Sequence, residues 1–275
     1  MPPEAFGWEI WLYFFIGGVA GGALAAASIA DLVRDGRERA LVLRATLIAL
    51  PLLVLSAVLL TVDLGRPDRT LNLLTEWRAT SPMWWGTWIL MATSAASAIL
   101  LLRSRGGDGR LSWVGRALLV LNIVLAGLLV VYTGVLLSTS SRPLWSATPL
   151  VPVIFALSAF STGIAALAIT GRATEELERA DTAVIVMEAV AIAALLGWLA
   201  LGAGPVGDRA VAAVAGAGLV GAIFWIGVVG SGLLAPLLLA RGVPGLRAAR
   251  PALVLLGGLA LRIVIVVGGQ STPLA

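Results

Sequence analysis

Asp63-Leu64-Gly65-Arg66-Pro67 and, after a short amphipathic run, Ser81-Pro82-Met83-Trp84-Trp85-Gly86 bound a polar connection of about twenty residues between two long apolar segments. The stretch from Asp63 to Gly86 carries three acids, three arginines and three tryptophans. Its two prolines and two glycines fix the backbone at both ends. What lies on either side decides the fold. Residues 44–63 and 84–102 are each apolar over roughly the 20 residues that cross about 30 Å of hydrocarbon at 1.5 Å per residue. A structured aromatic loop between two such segments reads as a docking or binding site, or as an interfacial tryptophan belt with a turn.

Working outward, six more segments of that length follow, at 9–32, 114–137, 147–170, 183–202, 211–239 and 250–268. The one at 211–239 is long, so it is expected to tilt or to start outside the hydrocarbon. The chain is 59% hydrophobic and 12% charged, with mean hydropathy +1.00. A soluble chain carries about 25% charged residues. Backbone groups in lipid must be satisfied within the chain, which leaves an all-α bundle as the expected fold. The expected organisation is a single transmembrane domain over residues 1–275, with eight helices in two four-helix bundles.

The basic residues are all arginine, and the net charge of +4 is modest. Their distribution sets a topology rather than a nucleic-acid face. The connections after the odd-numbered segments hold 13 arginines and those after the even-numbered ones hold 5. This bias predicts a multi-pass protein of the cytoplasmic (inner) membrane with both termini outside the cytoplasm. Glu175, Glu176, Glu178 and Asp181 crowd the fifth connection, but acids weigh little in the rule. Met1–Gly7 has no basic residue, so a cleaved signal peptide is not expected there.

The chain has no histidine and no cysteine. That excludes bis-histidine haem, cysteine-ligated iron–sulfur clusters and ordinary zinc sites. Redox chemistry here would need a diffusible organic carrier or centres on a partner. Lysine is absent too, so there is no phosphate-binding loop with its lysine. Glycines are dense in the first segment (Gly17, Gly18, Gly21, Gly22) and the seventh (Gly216, Gly218, Gly221), a pattern of close helix packing or of a smooth wall for a flat ligand. A Phe followed by small residues recurs at Phe14–Ala26 and Phe155–Ala166, a weak sign of tandem repetition.

Charges inside the membrane need a reason. Glu188, about a turn and a half into the sixth segment, and Arg262, mid-way along the eighth, read either as a structural pair or as part of a proton path. Asp63 reads as a cap or ion pair beside Arg66, or as a proton acceptor. Tyr132 closes the fourth segment on the outer side, and Trp8, Glu9 and Tyr13 open the first on that side. Arg142 and Trp145 follow the fourth segment, and Gln270 follows the eighth. With Asp63, Arg66, Ser81, Met83 and Trp84, these polar and aromatic residues of four connections converge on one face. They describe a shallow amphipathic pocket suited to a quinone headgroup, a flat ring with two carbonyl oxygens and an apolar tail.

Several stretches in order along the chain carry a family resemblance. They are Trp11–Gly22, Asp63–Pro67, Ser81–Gly86, Tyr132-Thr-Gly with Arg142-Pro-Leu-Trp, and Arg262 with Gly268-Gly-Gln270. In these the chain resembles the NrfD-like family, the membrane subunits of polysulfide-reductase-type and related molybdopterin oxidoreductase complexes. The resemblance implies an eight-helix quinone-binding subunit, usually with menaquinone. It also implies a four-cluster iron–sulfur partner and, through it, a molybdenum or tungsten catalytic subunit. It places Tyr132 at the quinone and the Asp63, Arg66 and Ser81–Trp84 stretches near the site or the partner. Some relatives set a histidine near the start of the first helix; this chain has none, and Glu9 stands as the candidate substitute. Two other functions fit the residues: a proton-coupled secondary transporter using Glu188 and Arg262, and a structural anchor without a quinone.

Overall fold

The computed structural model describes residues 7–63, 81–104, 111–139, 142–146, 148–171, 174–240 and 244–271. Among the described residues, eight helices are long and apolar enough to cross a membrane. We label them α1 (Trp8–Val33), α2 (Arg39–Asp63), α3 (Pro82–Ser104), α4 (Trp113–Ser138), α5 (Leu150–Ile169), α6 (Glu175–Gly202), α7 (Leu219–Ala240) and α8 (Arg250–Ser271). No strand occurs among the described residues. The expected all-α polytopic fold is therefore the observed one. Alternation of the spans defines two faces: an N-terminal face, where α1 starts, and an opposite, arginine-rich face, where α1 ends.

The helices close into two rings of four. α1 and α3 each pack on α2 and α4, while α5 and α7 each pack on α6 and α8. The rings join where α1 crosses α5. There the expected role of the α1 glycines is resolved as close packing. A Cβ at Gly22 would fall on the Ala159 carbonyl, and one at Gly163 would fall on the Gly22–Ala23 backbone. Gly21 meets Val130 of α4 in the same way. With no hydrophobic drive between helices in lipid, such backbone approach is what dispersion forces need. Phe14 and Phe155, the heads of the two Phe-plus-small-residue runs, meet edge to face at 5.9 Å.

Two sequence boundaries are corrected. α6 begins at Glu175, not near 183, because Thr174 caps it: Thr174 Oγ1 accepts the Leu177 N–H at 3.3 Å. Three glutamates in its first turn favour the helix dipole. The residues read as an acidic loop are therefore helical, and Glu188 lies about 20 Å along the helix rather than near its start.

The seventh segment is not one helix over 211–239. A short helix, Gly204–Ala215, ends at Gly216, and α7 starts after Gly218, whose φ of +132° favours glycine. Trp225 Nε1 donates to the Ala215 carbonyl at 3.0 Å and so ties the break together. Within α7, Ile223–Leu234 winds more widely, with i→i+5 hydrogen bonds. Only that winding puts residues five apart on one face. Gly227 and Gly232 thus both meet α8, at Ala260 and Gly257. Val228 and Leu233 both turn inward. Because a Cβ at Gly257 would fall on the Gly232 backbone, Gly257→Val is expected to lower the unfolding midpoint in detergent, by a cost of about 1–3 kcal/mol. An unchanged midpoint would show that the α7–α8 seam is loose.

Candidate functional site

The N-terminal half of the first ring collects aromatic and hydroxyl groups from four helices. Tyr13 comes from α1, one turn above Gly17; Ser56 from α2 lies beside Gly17. Trp84 comes from α3 and Tyr132 from α4. Gly86 lets α3 approach, since a Cβ there would overlap the Tyr132 phenol. Trp84 packs edge-on to Trp85 with ring centres 5.1 Å apart and tilts against Trp88 at 6.0 Å. Tyr13 lies against Phe14, with centres 5.5 Å apart.

Both phenols are buried, Tyr13 to 2% exposure and Tyr132 to 8%. The Tyr13 hydroxyl and the Ser56 hydroxyl are buried without a hydrogen-bond partner among the described residues. A buried polar group left unmade costs about 1–3 kcal/mol, so these two atoms mark a place where a polar ligand atom or a water would bind favourably.

The other expected site residues divide into three groups. Trp8 is exposed and Glu9 half-buried, its carboxylate folded back over Gly7 at the start of α1. Ser81 sits before α3 and its carbonyl accepts the Trp84 N–H at 3.2 Å, with Met83 half-buried on the next turn. Arg142, Trp145 and Gln270 brace α8: Arg142 Nη1 donates to the Gln270 carbonyl at 2.9 Å, and the buried Trp145 donates to the Ile265 carbonyl at 2.7 Å. Gly269 leaves the space that the Trp145 indole fills. Asp63 closes α2, but its side chain, like all of Arg66, lies outside the described residues. Among the described residues, the expected set divides between the two rings. Tyr13, Trp84 and Tyr132 cluster in the first ring, and the Arg142–Trp145–Gln270 group serves the second.

Glu188 and Arg262 converge without a direct ion pair. Arg262 Nη1 donates to Ser158 Oγ and, at 3.2 Å, to the Gly258 carbonyl, and Glu188 lines the same small cavity as Ser158. Arg262 Nη2 donates to the Phe155 carbonyl at 3.3 Å. The guanidinium carbon lies 5.1 Å from the Phe155 ring centre, and Gly18 of α1 makes room for it.

Sequence reading missed a second set. Ser161 donates to Asp181 at 2.7 Å, and Asp181 pairs with Arg250 at 2.8 Å. Arg250 also reaches Thr182 at 2.9 Å. The signal was present in spacing: Ser158, Ser161 and Thr162 fall at i, i+3 and i+4, and Asp181 and Glu188 at i and i+7, one helix face in each case. In the first ring, Asn122 donates to Ser28 at 2.9 Å and accepts from Ser97 at 3.4 Å, a buried structural network that was also missed.

The fold and these groups define a polytopic helical membrane protein with a buried aromatic–hydroxyl site near one face. The family described as polysulphide reductase, NrfD, matches over residues 2–274. Protein NrfD of Escherichia coli K12 is 31% identical, with 96% of this chain and 95% of that protein covered. The C component of the polysulfide reductase of Wolinella succinogenes is 30% identical, covering 96% of this chain and 94% of its own length. The chain belongs to the polysulphide reductase NrfD family, and with it is a membrane subunit of a redox complex.

Proposed function

We propose that this chain is the quinone-binding anchor of a respiratory oxidoreductase complex, exchanging electrons between the membrane quinone pool and an iron–sulfur partner. The unpartnered, buried Tyr13 hydroxyl, in the same half of the first ring as the buried Tyr132, carries the proposal. The residues fit the ring. In this reading the two phenol hydroxyls donate to the ring carbonyls, and Trp84 and Phe14 supply flat apolar walls. The bound quinone, menaquinone by family habit, would carry two electrons together with two protons. Tyr13 and Tyr132 hold the oxygen that gains or loses a proton, and burial keeps bulk water from it. Glu9 and Asp63, at the N-terminal face, relay protons to solvent. The four-cluster iron–sulfur subunit docks on that face and passes electrons to or from a molybdopterin subunit. In this arrangement the chain sits in the cytoplasmic membrane with both termini outside.

Tyr132→Phe and Tyr13→Phe test the site. Each is expected to slow quinol-linked reduction of the partner's clusters about tenfold, the equivalent of about 1.4 kcal/mol in the barrier, with the complex still assembled. Solvent extraction of the purified wild-type complex is expected to yield a quinone. Unchanged rates in both variants, with no quinone extracted, would leave a structural anchor as the better reading.

A further inference from the structure

A line of polar side chains runs through the second ring, and the quinone reading makes no use of most of it. It starts on the arginine-rich face in a cleft of about 380 Å³ lined by Glu175, Glu178, Arg179, Asp181, Arg247 and Arg250. Asp181 and Arg250 form the floor of that cleft and are 4% and 8% exposed. From Asp181 the line passes to the Ser161 hydroxyl. Ser161 shares a small cavity with Ser158, Thr162 and Glu188, of about 10 Å³, the space of about one water molecule. The line ends at Arg262, which is fully buried at the crossing of α1, α5 and α8. Two further atoms ask for water: Arg250 Nε and Arg262 Nε are buried with no partner among the described residues.

Beyond Arg262 stand two phenyl rings. The Phe155 ring lies over the guanidinium, and Phe14 lies against Phe155. On the remaining side α7 gives the cavity only Val228, Gly232 and Leu233. The groups that face Glu188 are thus Ser158, Ser161 and Thr162 of α5, Asp181 of its own helix and Arg262 of α8. A fixed cation backed by two phenyl rings is a barrier to a hydrated proton.

We propose that α5, α6 and α8 form a one-sided proton path, open to the arginine-rich face and ending at Glu188. A proton from the cleft binds the Asp181 carboxylate and loosens its pair with Arg250. With Asp181 neutral, the Ser161 hydroxyl, which donates to the carboxylate at rest, turns to the cavity water; Asp181 then gives its proton to Ser161 Oγ while the Ser161 hydroxyl proton leaves to that water. That water passes a proton to the Glu188 carboxylate. Asp181 ends as a carboxylate, Ser161 is unchanged, Glu188 is a neutral acid, and no electrons move. Arg262 is a positioning residue, holding Ser158 and barring passage toward the first ring.

The native chain has no cysteine, which permits a direct test. Single-cysteine variants Ser161→Cys, Thr162→Cys and Leu195→Cys would be placed in sealed membrane vesicles of both orientations and exposed to silver ion. Ser161→Cys and Thr162→Cys are expected to react when silver is added on the arginine-rich face and not from the other face. Leu195→Cys, buried two turns beyond Glu188 on the same face of α6, should stay silent from both. Silence of Ser161→Cys from both faces, or equal reaction from both, overturns the path. A second measurement leaves the polar line intact. Infrared spectra of the wild-type chain should show a carboxyl band, absent in Glu188→Gln, that shifts when water is exchanged for heavy water. A band that does not shift would mean a sealed structural carboxyl. Neither readout involves a quinone or electron transfer, so failure of the quinone reading would leave both unaffected.

Discussion

Gly22→Leu is expected to prevent accumulation of folded protein in the membrane. The two rings touch along α1 and α5, and Gly22 lies where the α1 backbone meets the Ala159 carbonyl. The first added carbon would already overlap backbone atoms, which cannot rotate away as a side chain does. Overpacking a well-filled contact costs about 1–3 kcal/mol and more where the backbone must move, and marginal stability leaves little reserve. The same logic applies to Gly163 opposite. By contrast Gly127, with nothing within 4 Å of an added Cβ, should accept alanine freely. Membrane fractions probed for the tagged chain separate the two outcomes. Normal levels of Gly22→Leu would mean that the rings are not held by this crossing.

The second large effect is expected at Arg262. Arg262→Leu removes the cation that compensates Glu188 and leaves Ser158 and the Phe155 carbonyl short of a donor. Breaking a buried charge constellation from one side costs about 3–5 kcal/mol. The double variant Arg262→Leu with Glu188→Leu removes both charges and should regain most of that loss, because a well-packed apolar pair is often as stable as a buried ionic one. Unfolding midpoints in detergent give the comparison. A double variant no more stable than Arg262→Leu alone would show that the two residues are not coupled through Ser158.

These two variants act on different layers of the structure, and their roles differ in how far they could be read from sequence. The glycines of α1 announce close packing by their spacing, and the eight spans announce themselves by length and hydropathy. The start of α6 was missed because apolarity begins near residue 183, whereas the helix begins where Thr174 can cap it and the glutamates favour its dipole. The break at Gly216–Gly218 was missed because apolar composition continues across it; only backbone conformation interrupts the helix.

The candidate site shows the same division. Tyr13, Trp84 and Tyr132 were expected on one face together with nine other residues, since each lies at the same end of its own span. The role of Trp145 was not. Its indole is spent on the Ile265 carbonyl, a partner 120 positions away that no local pattern could name.

The sequence alone determined membrane insertion, the count of spans, the absence of histidine and cysteine chemistry and the family, because these depend on composition and on order along the chain. Tertiary structure decided which polar groups meet. Pairing depends on which helix faces touch, and that is set by glycines that admit a backbone, by the wide winding of α7 and by the crossing of α1 with α5. Hence Glu188 and Arg262 were visible as buried charges from the start. That they meet around Ser158, and that Ser161, Asp181 and Arg250 extend the line to one face, required the folded chain.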